Sequence, residues 1–185
     1  ELDHEVVCVH SLRANPSNRS NDLGQEVVRA DVRDSGEMAE VLRGVESVFH
    51  LAAAVSTKSL DQSRSVNVEG TRTLVRAAAD CSNPPSFLQV SSLAAAGASD
   101  TPATEQDPCS PISHYGRTKL EAESVLKEFA ARLPISIARP PCVFGPGDRN
   151  MLGLYGTVRR GWNFVISRSF RYSFIHVQDL VEGLI

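Results

Sequence analysis

Val45-Glu-Ser-Val-Phe-His-Leu-Ala-Ala53 is nearly continuous in apolar residues, the pattern of a strand buried on both faces of a parallel sheet. Just before it, Gly44 stops a helix that starts at Ser35, a serine N-cap, and runs through Met38, Val41 and Leu42. Further back, Val6–Val9 and Glu26–Ala30 read as two more short strands. In the other direction, Val66, Leu74, Val75 and Ala78 recur at helical spacing between Ser63 and Cys81, and Phe87–Val90 is the next strand. A loop with Pro102, Pro108 and Pro111 leads into a helix over His114–Leu133, a strand at Ile135–Ala138, and a Pro- and Gly-rich stretch from Pro140 to Gly147. Strands alternating with helices in this order predict an α/β fold, a doubly wound parallel sheet with right-handed crossovers. After Asp148 the pattern changes to a helix over Asn150–Arg160, short strands around Phe164 and at Tyr172–Ile175, and a helix starting after Asp179. Residues 1–148 therefore read as one domain and 149–185 as the start of a smaller one.

Composition narrows the function classes. The chain has 185 residues, 19 Lys+Arg against 22 Asp+Glu, and 42% hydrophobic residues, enough to bury a core and too apolar for a disordered segment. The slightly acidic balance gives no electrostatic reason to bind nucleic acid or anionic lipid. The longest uninterrupted apolar stretch, Leu51–Val55 with Phe49 just before it, falls far short of the roughly 20 residues of a membrane span. Cys8, Cys81, Cys109 and Cys142 form no Cys-x-x-Cys pair and the five histidines are scattered, so the expectation is reduced thiols, a cytoplasmic protein and no metal site.

In doubly wound sheets ligands sit at the carboxyl ends of the strands, which directs attention to Ala52-Ala53, Ser91-Ser92 and Pro140–Gly147. The helix after the Ser-Ser strand carries Tyr115-Gly-Arg-Thr-Lys119, and an i, i+4 spacing puts both side chains on one face. A lysine ammonium beside a phenol favours the phenolate and lowers its pKa from about 10, which makes Tyr115 an acid or base for catalysis. Ser92 is then placed to hydrogen-bond the substrate oxygen that Tyr115 protonates or deprotonates. With three Tyr and three Lys in the chain, the pair alone is a weak signal and needs company.

The company is present. Ala30-Asp-Val-Arg-Asp34, Val48-Phe-His-Leu-Ala-Ala53, Asn67-Val-Glu-Gly-Thr71, Val90-Ser-Ser92 with Tyr115 and Lys119, Arg139–Asp148 and Phe174–Leu180 together resemble, in order, the motifs of the extended short-chain dehydrogenase/reductases, or NAD-dependent epimerase/dehydratase family. The closest likeness within it is to 3β-hydroxysteroid dehydrogenase-like members. The resemblance implies a Rossmann-like domain that binds NAD or NADP. It implies Ser92, Tyr115 and Lys119 as catalytic residues, and cofactor contacts from Asp31, Val32, Leu51, Ala52, Ala53, Asn67, Tyr115, Lys119, Pro140, Pro141 and Val143. In this scheme Asp31 meets the adenine amine, Leu51–Ala53 lie along the cofactor, Lys119 anchors the ribose, and Pro140, Pro141 and Val143 hold the nicotinamide. His50, His114 and His176 are expected to be structural. The partner implied is a small-molecule substrate, with no nucleic acid and no membrane, and the family expectation is a homodimer through the Tyr-Lys helix.

The departures shape the functional expectation. The family's opening strand and Gly-x-x-Gly-x-x-Gly turn, which binds pyrophosphate at a helix N-terminus, is not found in these 185 residues. Val6–Val9 corresponds to the family's second strand, Gly24 cannot substitute for the turn, and Ile185 falls inside a helix. The chain therefore reads as a fragment of an active enzyme. Ser11 and Arg13, in place of an acidic residue after the second strand, lean towards NADP. Leu93-Ala94 stand where a sugar 4,6-dehydratase carries Asp-Glu, which argues against dehydration. The expected activity is hydride transfer between nicotinamide and a hydroxyl or keto carbon of a sterol-like or sugar-like molecule. Nucleotide-sugar epimerisation and a non-catalytic dinucleotide-binding regulator are the alternatives.

Overall fold

The computed structural model describes residues 4–11, 26–55, 59–148, 150–162 and 171–185. The expected strand around Phe164, together with Arg13 and Gly24, lies outside the described residues. Strands β1 (Val7–His10) and β2 (Glu26–Arg29) precede helix α1 (Ser35–Val41), strand β3 (Ser47–His50) and helix α2 (Leu60–Arg64). A π-helical turn over Ser65–Gly70 joins α2 to α3 (Thr71–Ala79), followed by β4 (Ser86–Val90) and a 3₁₀ turn at Leu93–Ala95. Then come α4 (His114–Lys127), β5 (Ile135–Ala138), β6 (Cys142–Phe144), α5 (Asn150–Arg159), β7 (Phe174–His176) and α6 (Val177–Leu184).

Every strand pairing is parallel: β1 with β2, β3–β4–β5 in that order, and β6 with β7. The α/β reading with helical crossovers holds. In the central sheet His50 pairs with Gln89 and Val90 with Ala138, so β3, β4 and β5 end nearly level and present their carboxyl ends together. β7 lies beside β6, with Val143 opposite Ile175, which ties residues after Asp148 back to those before it.

The core is one continuous cluster. Met38 and Leu42 come from the α1 segment, Val68, Leu74, Val75 and Ala78 from the π turn and α3, Phe87 from β4, and Val125, Leu126, Phe129 and Leu133 from α4 and the turns after it. Val48 packs against this cluster, whereas Phe49 is 47% and Leu51 64% exposed. The apolar stretch at Val45–Ala53 is thus covered on one face among the described residues, not on both as its sequence reads. Several boundaries also differ: the strand expected at Tyr172–Ile175 is β7, Phe174–His176, and the helix expected after Asp179 starts at Val177. Asp34, not Ser35, caps α1, its Oδ1 accepting from the backbone N–H groups of Gly36 (2.8 Å) and Glu37 (3.0 Å). The α4 helix stops at Lys127 and continues to Leu133 as separate turns. The Pro-Pro stretch after β5 contains strand β6. All four cysteines are free, and no helix among the described residues is long and apolar enough to cross a membrane.

Candidate active site

The site is assembled where β4 gives way to Ser91 and Ser92. Past the end of the strand, the ladder to the neighbouring segment persists: Ser91 N donates to Ala138 O at 2.7 Å and Leu93 N to Pro140 O at 2.9 Å. Ser92 caps the 3₁₀ turn, its Oγ accepting from Ala94 N at 3.2 Å. The first turn of α4 lies hard against this turn. Ser113 Oγ accepts from Gly116 N at 3.0 Å as the helix cap, and a Cβ on Gly116 would stand 2.2 Å from Ala94 O. A glycine directly after Tyr115 is therefore what lets the helix approach closely enough to bring Tyr115 to Ser92.

Tyr115 is half-buried, and burial raises its phenol above the ordinary tyrosine value while a hydrogen bond with Ser92 pulls the other way. Lys119, one turn further along, is 2% exposed and donates from Nζ to Val90 O at 2.7 Å. Burial pushes its pKa down to about 8, with the Glu123 carboxylate opposing. The expectation that Lys119 lowers the phenol's pKa is therefore corrected. The ammonium is engaged with the strand carbonyl, and desolvation decides the direction for Tyr115. A phenol that keeps its proton at neutral pH is equipped to donate it to a carbonyl oxygen.

Beneath these groups runs a buried polar layer. Asn67, in the π turn and 2% exposed, accepts from Ala54 N at 2.7 Å and donates to Thr118 Oγ1 at 2.9 Å. Thr118 in turn donates to Tyr115 O at 2.9 Å. This chain of bonds ties the Ala52–Ala54 loop to the helical turn that carries Tyr115 and Lys119. Asn67, expected among the cofactor contacts, is spent on bracing these two segments, and the π turn is the local distortion that aims it. His50 Nε2 stands 2.9 Å from Thr71 Oγ1, and burial, reinforced by the charge of Lys119, lowers its pKa to about 3. His50 is a neutral structural group, as expected.

The remaining expected residues fall into two places. Leu51 and Ala52 are exposed and Ala53 half-buried at the carboxyl end of β3, and Pro140, Pro141 and Val143 are half-buried beyond β5. Asp31 lies at the end of β2, beside a depression of about 470 Å³ bordered also by Arg33, Asp34 and Glu37. Its carboxylate accepts from Arg33 N at 3.0 Å and Arg33 Nε at 2.8 Å, so an adenine amine would have to share it with Arg33. The Val32 side chain packs on the core.

These residues fit the nicotinamide-ribose half of a dinucleotide. An ammonium has three donors; Lys119 spends one on Val90 O and has two for a ribose diol. The small side chains of Ala52 and Ala53 admit a flat ring. The sequence reading assigns no role to Gly116, Thr118, Glu123 or Arg139 and notes Ser91 only as part of a strand end. Behind Lys119, buried Ser91 and Glu123 cluster with half-buried Arg139, and the one signal for this was the placement of Glu123 at i+4 from Lys119.

Comparisons with known proteins bear on the family and the fold. The model of the NAD dependent epimerase/dehydratase family matches residues 1–185. The chain is 31% identical over 165 residues to a ceramide reductase of Caulobacter vibrioides, covering 89% of this chain and 47% of that protein. It is 30% identical over 168 residues to 3beta-hydroxysteroid-dehydrogenase/decarboxylase isoform 2 of Arabidopsis thaliana, covering 85% of this chain and 30% of that protein. Among solved structures it superposes with a TM-score of 0.82 on DesIV, a dTDP-glucose 4,6-dehydratase of Streptomyces venezuelae with NAD and TYD bound, at 25% identity over 97% of this chain and 61% of that one. The chain thus spans about half the length of the reductase and less than a third of the plant protein.

Proposed function

Because the chain belongs to the NAD-dependent epimerase/dehydratase family, we propose that it carries the proton-transfer machinery of an NAD(P)-dependent oxidoreductase acting on a hydroxyl or keto carbon of a small molecule. The observation that carries this reading is the seating of Tyr115 against Ser92, with Lys119 one turn away and Gly116 permitting the approach. Lys119, through its two remaining donors, and Leu51–Ala53, Pro140, Pro141 and Val143 would hold the nicotinamide end of the cofactor. When bound, the nicotinamide supplies or accepts the hydride. In the reducing direction the Tyr115 phenol donates its proton to the carbonyl oxygen, and Ser92 hydrogen-bonds the same oxygen as charge builds on it. In the oxidising direction the same phenol oxygen receives the proton of the alcohol.

Leu93 and Ala94, on the turn that follows Ser92, provide neither acid nor base for eliminating water, so dehydration is disfavoured. The relatives named as a reductase and a dehydrogenase favour net oxidation or reduction of a sterol-like or lipid-like alcohol. Nucleotide-sugar epimerisation is the second reading, favoured by the likeness to a nucleotide-sugar enzyme. The test is titration of the full-length protein with NADH and NADPH, followed by turnover against a panel of sterols, long-chain ketones and nucleotide sugars. Tyr115→Phe should still bind the dinucleotide, through Lys119 and the strand-end residues, and lose about 10²–10⁴-fold in kcat. Undiminished turnover in that variant would overturn the reading.

A further inference from the structure

Behind Lys119 lies a carboxylate that the proton-transfer scheme does not use. Glu123 is 2% exposed and sits one helical turn beyond Lys119, on the face that already carries Tyr115 and Lys119. Its Oε1 accepts from Ser91 Oγ at 2.5 Å and from Arg139 Nε at 3.0 Å, and its Oε2 accepts from Arg139 Nη2 at 2.6 Å. These partners come from elsewhere in the chain. Ser91 follows β4, stands between Ser92 and the Val90 carbonyl that anchors Lys119, and is itself bonded to Ala138 O. Arg139 follows β5 and directly precedes Pro140. One carboxylate therefore binds the chain immediately next to Ser92, to the Lys119 anchor and to the Pro140-Pro141 segment.

We propose that Glu123, clamped by Ser91 and Arg139, is a positioning residue that fixes the carboxyl ends of β4 and β5 against α4 and holds a carboxylate one helical turn from Lys119. A buried carboxylate is costly unless it is fully bonded, and three charge-assisted hydrogen bonds meet that demand. A surface ion pair would do nothing for the site, and this one is neither at the surface nor remote from it. The groups facing Lys119 are Tyr115 and Glu123 on its own helix, His50 on β3, held neutral, and Arg139 behind Glu123 with the Cys109 thiol beside it. Glu123 raises the Lys119 pKa against the desolvation that lowers it, and Arg139 holds that carboxylate in place.

The proposal rests on the functional reading for its catalytic consequence, but its electrostatic half is measurable without turnover. The Lys119 resonance of lysine-labelled full-length protein can be assigned by its absence from a Lys119→Met variant and titrated by NMR. Glu123→Gln should lower the Lys119 pKa by about one unit, and Glu123→Asp, which keeps the charge, should leave it near the wild-type value. In a turnover assay Glu123→Gln should cost about tenfold or more in kcat, with the loss deepening at alkaline pH. A downward shift in Glu123→Gln that Glu123→Asp does not show establishes the coupling even if no turnover is found, an outcome that would count against the functional reading and not against this one. If Glu123→Gln does not fold, Glu123→Met serves as the uncharged variant in the same titration. A Lys119 titration that stays in place would overturn the proposal, as would wild-type kcat in Glu123→Gln.

Discussion

Acid should loosen the layer beneath the site by an amount set by His50. The imidazole is 3% exposed, and Thr71, which stands 2.9 Å from Nε2, already spends its one hydroxyl proton on Asn67 O at 2.7 Å. Thr71 can only accept from His50, so the neutral ring carries its hydrogen on Nε2. Its folded pKa of about 3 lies below the value near 6.5 of an unfolded histidine. The unfolded chain therefore binds the proton first. The contribution is complete above about pH 6.5, falls by about 1.4 kcal/mol for each unit of acidification, and stops falling below about pH 3. At about pH 5 the loss amounts to about 2 kcal/mol, a sizeable share of the 5–15 kcal/mol typical of a domain. The assay is urea unfolding of wild type and His50→Gln, followed by circular dichroism, at about pH 7 and about pH 5. The glutamine amide can still donate to Thr71 but takes up no proton, so the stability difference between the two proteins should shrink by about 2 kcal/mol over that interval. A difference independent of pH would refute the reasoning.

Two further outcomes are expected. Gly116→Ala places a Cβ 2.2 Å from Ala94 O, and the contact can be relieved only by moving α4 away from the Ser92 turn; thermal melts should show about 1–3 kcal/mol of destabilisation, and kcat should fall at least about tenfold in the folded fraction. Because the Lys119 pKa is about 8, kcat/KM should decline as pH rises through that value, and a profile flat to about pH 10 would exclude the ammonium from the reacting form.

The sequence was most legible where local spacing and topology coincide. The Tyr115–Lys119 pair reads directly as one face of a helix, and the strands Phe87–Val90 and Ile135–Ala138 appear within a residue of their observed bounds. Less legible were features set by partners far along the chain. Asn67 looked like a ligand contact until Ala54 and Thr118, 13 and 51 residues away, were found to occupy its amide. Glu123 shows in the sequence only by its i, i+4 placement from Lys119, because its partners lie 32 and 16 residues from it. The direction of the Tyr115 shift was misread for a related reason: i, i+4 spacing gives proximity, but where the ammonium points depends on the Val90 carbonyl 29 residues away. The β6 strand was hidden by Pro140 and Pro141, residues that disfavour a central strand yet precede it without harm.

The central claim is that Tyr115 protonates an oxygen whose carbon receives hydride from a nicotinamide. The most direct test offers the full-length protein a carbonyl substrate and reduced nicotinamide cofactor with deuterium at both C4 positions, and reads the product by mass spectrometry. The account predicts one deuterium on the carbinol carbon, formed by wild type and all but abolished in Tyr115→Phe. Product formed at the wild-type rate by Tyr115→Phe, or carrying no deuterium at that carbon, would contradict it.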